Sequence, residues 1–175
     1  MRRLMTALVA VALVLGLAGA VAAGDSNRNS FKANLSGYQE VPAISSTATG
    51  KLTLKVNPAG TQVSYSLTYS ALQGGNALAA HIHFAQAGVN GSVVAFLCGG
   101  GGKPACPAAG GTVTGTIVAA DVLAAQGIAA GDLAAFLRAV RSGVTYANVH
   151  STGFPGGEIR GQIPGGGKRD HGNDD

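Results

Sequence analysis

Between residues 51 and 69 the chain alternates apolar and polar side chains almost without fault. In Lys51-Leu52-Thr53-Leu54-Lys55-Val56 the apolar residues occupy every second position, and in Gln62-Val63-Ser64-Tyr65-Ser66-Leu67-Thr68-Tyr69 they do so again. A strand projects successive side chains to opposite faces, so each segment has one apolar and one polar face. Asn57-Pro58-Ala59-Gly60 lies between them. Proline presets φ for the second position of a turn, and glycine closes it. Two such strands joined so tightly must be antiparallel, with one face in water. This excludes a parallel sheet covered by helices on both sides.

The rest of the chain continues the theme. Phe31–Ser36, Leu78–Phe84, Ser92–Leu97, Gly111–Val118, Val144–His150 and Gly157–Ile163 each read as a short strand. Ser92–Leu97 is apolar on both faces and is expected in the middle of a sheet. Asn90-Gly91 precedes it and is a strong hairpin signal. Pro42 argues against a central strand within Gly37–Ser46. One helix interrupts the pattern. Asp132 is a good N-cap for Leu133–Ser142, where Leu133, Phe136, Leu137 and Val140 form one apolar stripe. Arg138 and Arg141 suit the negative end of its dipole, and Gly143 ends it. Asp121 is expected to cap a shorter turn reaching Ala125. The expectation is an antiparallel sandwich or small barrel of about eight strands with one short helix towards the C-terminus. With 28 glycines and only 11% charged residues, the composition suits a β protein rich in tight turns.

The two ends read differently. Arg2 and Arg3, an apolar run from Leu4 to Leu17 and the small residues Val21-Ala22-Ala23 form a secretory signal peptide over residues 1–23. An uncleaved membrane anchor is the alternative for the same stretch and the only expected route to a membrane. Residues 24–30 are expected to be a flexible start, and residues 164–175 a disordered tail that carries His171. Loss of Arg2 and Arg3 halves the formal net charge of +4. The remaining basic residues are scattered and not interleaved with aromatics, so nucleic-acid binding is excluded. The chain is expected outside the cytoplasm, secreted or in the periplasm or cell envelope. There its two cysteines, Cys98 and Cys106, pair by default as a disulfide around a run of four glycines. Ligation of a metal by the pair matches no zinc spacing.

Three of the four histidines fall inside strands. His81 and His83 share one face of Ala80-His81-Ile82-His83-Phe84, and His150 follows in Asn148-Val149-His150. Neutral imidazoles suit copper or zinc. If His81, His83 and His150 converge, they make a mononuclear metal site. Glu40, Asn148 or Glu158 is then a candidate fourth ligand, or a neighbour that fixes a ring tautomer. The alternative is a satisfied polar cluster between strands in which Glu158 and Arg160, two apart on one strand face, form ordinary structural ion pairs with neighbours. No catalytic residue is expected. No Gly-x-Ser-x-Gly elbow, phosphate loop or dinucleotide fingerprint is present.

Three further stretches carry a resemblance. Leu35-Ser36-Gly37-Tyr38-Gln39-Glu40-Val41-Pro42 resembles the opening motif of CHRD domains, the repeats of the developmental protein chordin that also occur in secreted microbial proteins. Ala80-His81-Ile82-His83 with Gly88-Val89-Asn90-Gly91-Ser92-Val93-Val94 resembles the central motif. Tyr146-Ala147-Asn148-Val149-His150-Ser151 with Pro155-Gly156-Gly157-Glu158-Ile159-Arg160-Gly161-Gln162 resembles the closing one. The three occur in order over residues 31–163. A single copy behind a signal peptide is the secreted microbial arrangement. The resemblance implies a β-rich, immunoglobulin-like sandwich or barrel with a non-catalytic binding or structural role towards an extracellular ligand or metal ion. It assigns no catalytic residue. Gly99–Ala109 departs from it and looks inserted. A His-x-His strand on a Greek-key barrel is also similar to the copper site of Cu/Zn superoxide dismutases, which makes a copper redox enzyme the second functional expectation.

Overall fold

The alternating segments form the hairpin they predict. In the computed structural model, which describes residues 29–166, β2 (Thr49–Val56) and β3 (Val63–Ser70) pair antiparallel from Thr49 opposite Ser70 to Val56 opposite Val63. The turn closes with Gly60 N–H donating to Asn57 O at 3.0 Å, and Gly60 takes a φ of +69°. The Asn57 side chain accepts from the Thr61 and Gln62 amides at 2.9 and 3.1 Å. Leu52, Leu54, Val63, Tyr65, Leu67 and Tyr69 are buried as the alternation demands.

Six more strands complete one sheet: β1 (Ser30–Ser36), β4 (Ala77–Phe84), β5 (Ser92–Cys98), β6 (Gly111–Ile117), β7 (Thr145–Ser151) and β8 (Ile159–Ile163). Their order is β5-β4-β7-β8-β1-β2-β3-β6, and every neighbouring pair is antiparallel. The sheet curls into a nearly closed barrel, the second of the two expected architectures. Its two end strands, β5 and β6, come within reach of each other. Tyr65 Oη donates across the interior to Leu97 O at 2.7 Å.

The seam between β5 and β6 corrects the expectation that Ser92–Leu97 is a central strand. β5 lies at the end of the sheet, yet Val94, Ala95 and Leu97 are fully buried. The segment after β6 covers this edge, with Leu123 N–H donating to Val94 O at 2.9 Å. Closure thus buries an end strand on both faces, which sequence alone reads as a central one. The disulfide lies at the same seam. Cys98, at the end of β5, is bonded to Cys106 with their Cα atoms 5.0 Å apart. Lys103 in the enclosed loop reaches over to donate to Thr116 O at 2.7 Å and to pair with Asp121 at 2.8 Å. The glycine run is packed as well: a Cβ at Gly100 or Gly101 would collide with the Phe96 ring.

The helix α1 (Leu133–Arg141) forms as its stripe predicts, ending one residue earlier than expected. Asp132 Oδ1 accepts from Ala135 N at 2.8 Å, and Leu133, Phe136, Leu137 and Val140 are buried in the core. Asp121 does not open a turn. It closes the 3-10 helix Ala119–Asp121, its side chain accepting from the Val118 amide at 2.9 Å. The hairpin between β4 and β5 reverses at Gln86–Val89, where Gly88 has a φ of +76°, rather than at Asn90-Gly91.

The expected signal peptide (1–23) and His171 lie outside the described residues. Of the expected flexible start, Ser30 is already in β1, opposite Lys55. Of the expected tail, Gly166 N–H still donates to Arg141 O at 3.3 Å. Among the described residues, no helix is long and apolar enough to cross a membrane.

Candidate metal centre

Strand alternation places the histidines on the outer face of the barrel wall. In β4, Ala80 and Ile82 point into the core, so His81 and His83 point out. In β7, Ala147 and Val149 point in, so Tyr146, Asn148 and His150 point out. Antiparallel register sets His81 opposite Asn148, His83 opposite Tyr146 and Ala79 opposite His150. Three loops fold over this outer face: the stretch around Glu40, the β4–β5 hairpin with Gly91, and Pro155-Gly156-Gly157. His83, Asn148 and Arg160 are therefore buried although they lie outside the barrel, while His81 and His150 are half-buried.

The three rings meet. One ligand nitrogen from each of His81, His83 and His150 lies within 4.8 Å of the others. His81 Nδ1 is 3.1 Å from His150 Nε2. A single ion with metal–nitrogen bonds of about 2 Å spans nitrogens up to about 4 Å apart, so the widest pair must close by less than about 1 Å. Two of the rings have their other nitrogen committed. His83 Nδ1–H donates to Gly91 O at 3.0 Å, and His150 Nδ1–H donates to Pro155 O at 2.8 Å. Each then turns an Nε2 lone pair inward, and each Nε2 lies 3.0 Å from Asn148 Oδ1.

Electrostatics favour neutral rings. Burial and the neighbouring His150 and His83 push His81 down to about 3. His83 is also held below the usual histidine range, chiefly by burial, with His150 and Arg160 adding to it against the acceptors Gly91 and Asn148. Burial lowers His150 against the pull of Pro155 O. Neutral imidazole is the form that ligates a metal.

Aromatic packing holds the rings. The Phe96 ring stands edge-on to His81 with centroids 4.5 Å apart. Tyr146 stacks on His83 at 4.7 Å with planes 2° apart, and the Arg160 guanidinium lies 3.3 Å from the centroid of Tyr146. Arg160 also donates to Asn90 Oδ1 at 3.0 Å and Val89 O at 2.7 Å, which ties β8 to the hairpin that carries Gly91. A Cβ at Gly91 would collide with Phe84 O, so the close approach that brings its carbonyl to His83 requires glycine. The sequence places Tyr146 on the face of Asn148 and His150, but it does not show Phe96 or the carbonyls of Gly91 and Pro155. Phe96 carried a signal only as an aromatic in an apolar strand. Carbonyls carry none.

The remaining candidates divide. Asn148 bridges two rings, and Arg160 supports the site through Tyr146. Glu40 lies beyond Asn148, on the side away from the rings. Glu158 is elsewhere. It precedes β8 and accepts from Ser46 Oγ at 2.7 Å, Ser151 Oγ at 2.6 Å, Gln73 N at 2.6 Å and Gly74 N at 3.1 Å. Ser151 shares the inward face of β7 with Ala147 and Val149, so this carboxylate fastens an end of the barrel rather than the outer face. Glu158 and Arg160 do not share the expected strand face, because β8 begins at Ile159 and leaves Glu158 outside the strand, where alternation does not govern its direction.

The model of the CHRD domain matches residues 31–163, well over half of the 175-residue chain. The chain belongs to the CHRD domain family. No curated protein and no solved structure matches it. The opening, central and closing motifs of this CHRD domain thus supply Glu40, the His81–His83 pair with Gly91, and Asn148 with His150 and Arg160. Residues far apart in the chain converge on one outer patch.

Proposed function

We propose that this CHRD protein works outside the cytoplasm as a metal-binding protein, holding one copper or zinc ion between His81, His83 and His150. The observation that carries the reading is the count of protons. A merely structural cluster would match each lone pair with a donor. Here Gly91 O and Pro155 O take the Nδ1 protons of His83 and His150. His81 Nδ1, 3.1 Å away, supplies a donor for the His150 Nε2 lone pair, whereas the His83 Nε2 lone pair faces an amide oxygen. Backbone acceptors that orient ligating imidazoles in this way are the usual surroundings of a metal site. The donor set suits copper and zinc, with copper the tighter by the general order of divalent metals.

The two-metal arrangement of a dismutase needs an imidazole with both nitrogens free to bridge. His83 and His150 have each given one nitrogen to the backbone, so neither can bridge two ions, which leaves His81 as the one ring of the three with no nitrogen bonded to the backbone. The disulfide at the barrel seam supports an oxidising compartment.

Calorimetric titration of the protein with Cu(II) and Zn(II), beside the His81→Ala/His83→Ala variant, tests the reading. Stoichiometric binding by the parent protein and its loss in the variant are expected. Equal weak binding by both would overturn it.

A further inference from the structure

Asn148 touches two of the three rings, and its amide has two ends. The oxygen faces His83 Nε2 and His150 Nε2 at 3.0 Å each. The nitrogen points away, towards Gly157. A Cβ added to Gly157 would collide with Glu40 Oε1 and press on Asn148 Nδ2 at 3.0 Å, so both atoms converge on the space that this glycine leaves open. Gly157 has a φ of +126°, which a side chain would in any case strain. Glu40 is 7% exposed, and its Oε1 has no hydrogen-bond partner among the described residues. Burial pushes its carboxyl up to about 7, against Arg160, the Val41 amide and the Asn148 side chain, which all favour the charged form.

We propose that Glu40 is the positioning residue of the histidine centre: its unpartnered carboxylate oxygen faces the NH2 end of Asn148 beside Gly157, without a direct hydrogen bond between them in this structure, and so keeps the Asn148 oxygen turned towards the ring nitrogens. The proposal rests on the metal reading for its purpose, and on the geometry of Glu40, Gly157 and Asn148 for its content.

The two ends of a primary amide are nearly equal in shape and opposite in chemistry. Turned over, Asn148 would offer N–H groups to the lone pairs of His83 and His150, a contented arrangement that competes with a cation for those lone pairs. With its oxygen inward, Asn148 adds another electron-rich atom to the point where three nitrogens already converge. What stands behind the amide decides between the two. A carboxylate only accepts, so it selects the NH2 end and sends the oxygen inward. A glutamine at position 40 keeps the size but can donate, which frees the amide to turn. Glu40 therefore acts on the rings through Asn148 and touches neither the rings nor an ion between them.

The test uses the metal-free protein at pH 8, labelled with 15N. An N–H···N hydrogen bond transmits a scalar coupling between its two nitrogens, and an O···N contact does not. No coupling between Asn148 Nδ2 and His83 Nε2 is expected in the parent protein, and its appearance is expected in Glu40→Gln. A coupling already present in the parent overturns the proposal without any variant, as does its absence from a folded Glu40→Gln. The second arm is Cu(II) affinity. Glu40→Gln should weaken it by about 10–100-fold, the usual cost of altering a residue behind a ligand. In an Asn148→Ala background the same change should cost nothing further. An equal loss in both backgrounds would show that Glu40 acts by its charge and not by holding Asn148. If the parent binds no metal, the metal reading fails by itself while the coupling still decides whether Glu40 orients Asn148.

Discussion

Buried ionisable groups give this domain an uneven response to pH. Glu158 is fully buried, which by itself raises its pKa, but four donors overcome this and hold it below the usual carboxylate range. A group depressed on folding contributes stability above its unfolded value and loses it as pH falls through the folded value. The three histidines have the same sign, since their folded values are also lowered. Metal-free protein should therefore begin to lose stability as pH falls below about 6.5, and Glu158 should add a second decline below about 4.5. Glu40 has the opposite sign. Its raised value means that the stability it contributes at low pH is lost as pH rises from about 4.5 through about 7. Urea unfolding from pH 3 to 8 would show this profile. Glu158→Gln should remove most of the decline below pH 4.5 and cost roughly 1–3 kcal/mol at neutral pH, because a glutamine amide cannot accept at every lone pair of the carboxylate. An unchanged acid limb would contradict the role given to this carboxylate.

Elements position these residues because each has one task. β4 and β7 give their inward side chains to the core and their outward ones to the histidine cluster, and alternation alone keeps the two sets apart. β8 adds Arg160 and Gln162 to the outer face, opposite Asn148 and Tyr146. The helix has no part in the site. Its apolar stripe supplies Leu133, Phe136, Leu137 and Val140 to the core, and its start depends on the Asp132 cap. Asp132→Ala should destabilise the domain by about 1 kcal/mol, the ordinary worth of such a cap, and leave copper affinity unchanged. Thermal unfolding and titration of the same preparation would check both. A fall in affinity would mean that the helix couples to the outer face after all.

The whole barrel is completed by a disulfide, a lysine side chain and a backbone bond from the segment after β6 rather than by ladder hydrogen bonds between its end strands. Cys98–Cys106, Lys103 with Thr116 and Asp121, and Leu123 with Val94 bridge the seam between β5 and β6. Replacing both cysteines by serine should cost about 2–3 kcal/mol, the chain entropy of so short a loop. The domain should open first at this seam, seen as faster amide exchange in β5 and β6 than in β1 and β2. Uniform exchange would refute that order. Period-two alternation, turn residues and a helical stripe are local, so the strands, the helix and the shared face of His81 and His83 were legible in the residues themselves, while the barrel makes that face the outer one. The pairing of Cys98 with Cys106 was legible from their number. Local pattern could not show that the sheet curls until its ends meet, and so Ser92–Leu97 read as central while it is an end strand buried by closure. Nor could it separate Glu158 from the histidines. Glu158 lies within the closing motif, but the register of β7 with β8 and the fold of the Gly157 turn send it to the end of the barrel. The convergence of His150 with His81 and His83, and of Glu40 with Asn148, depends on strands and loops 40 or more residues apart being brought together. Only the tertiary structure decides that, because strand order and loop docking follow from the packing of the whole core and not from the preference of any one segment.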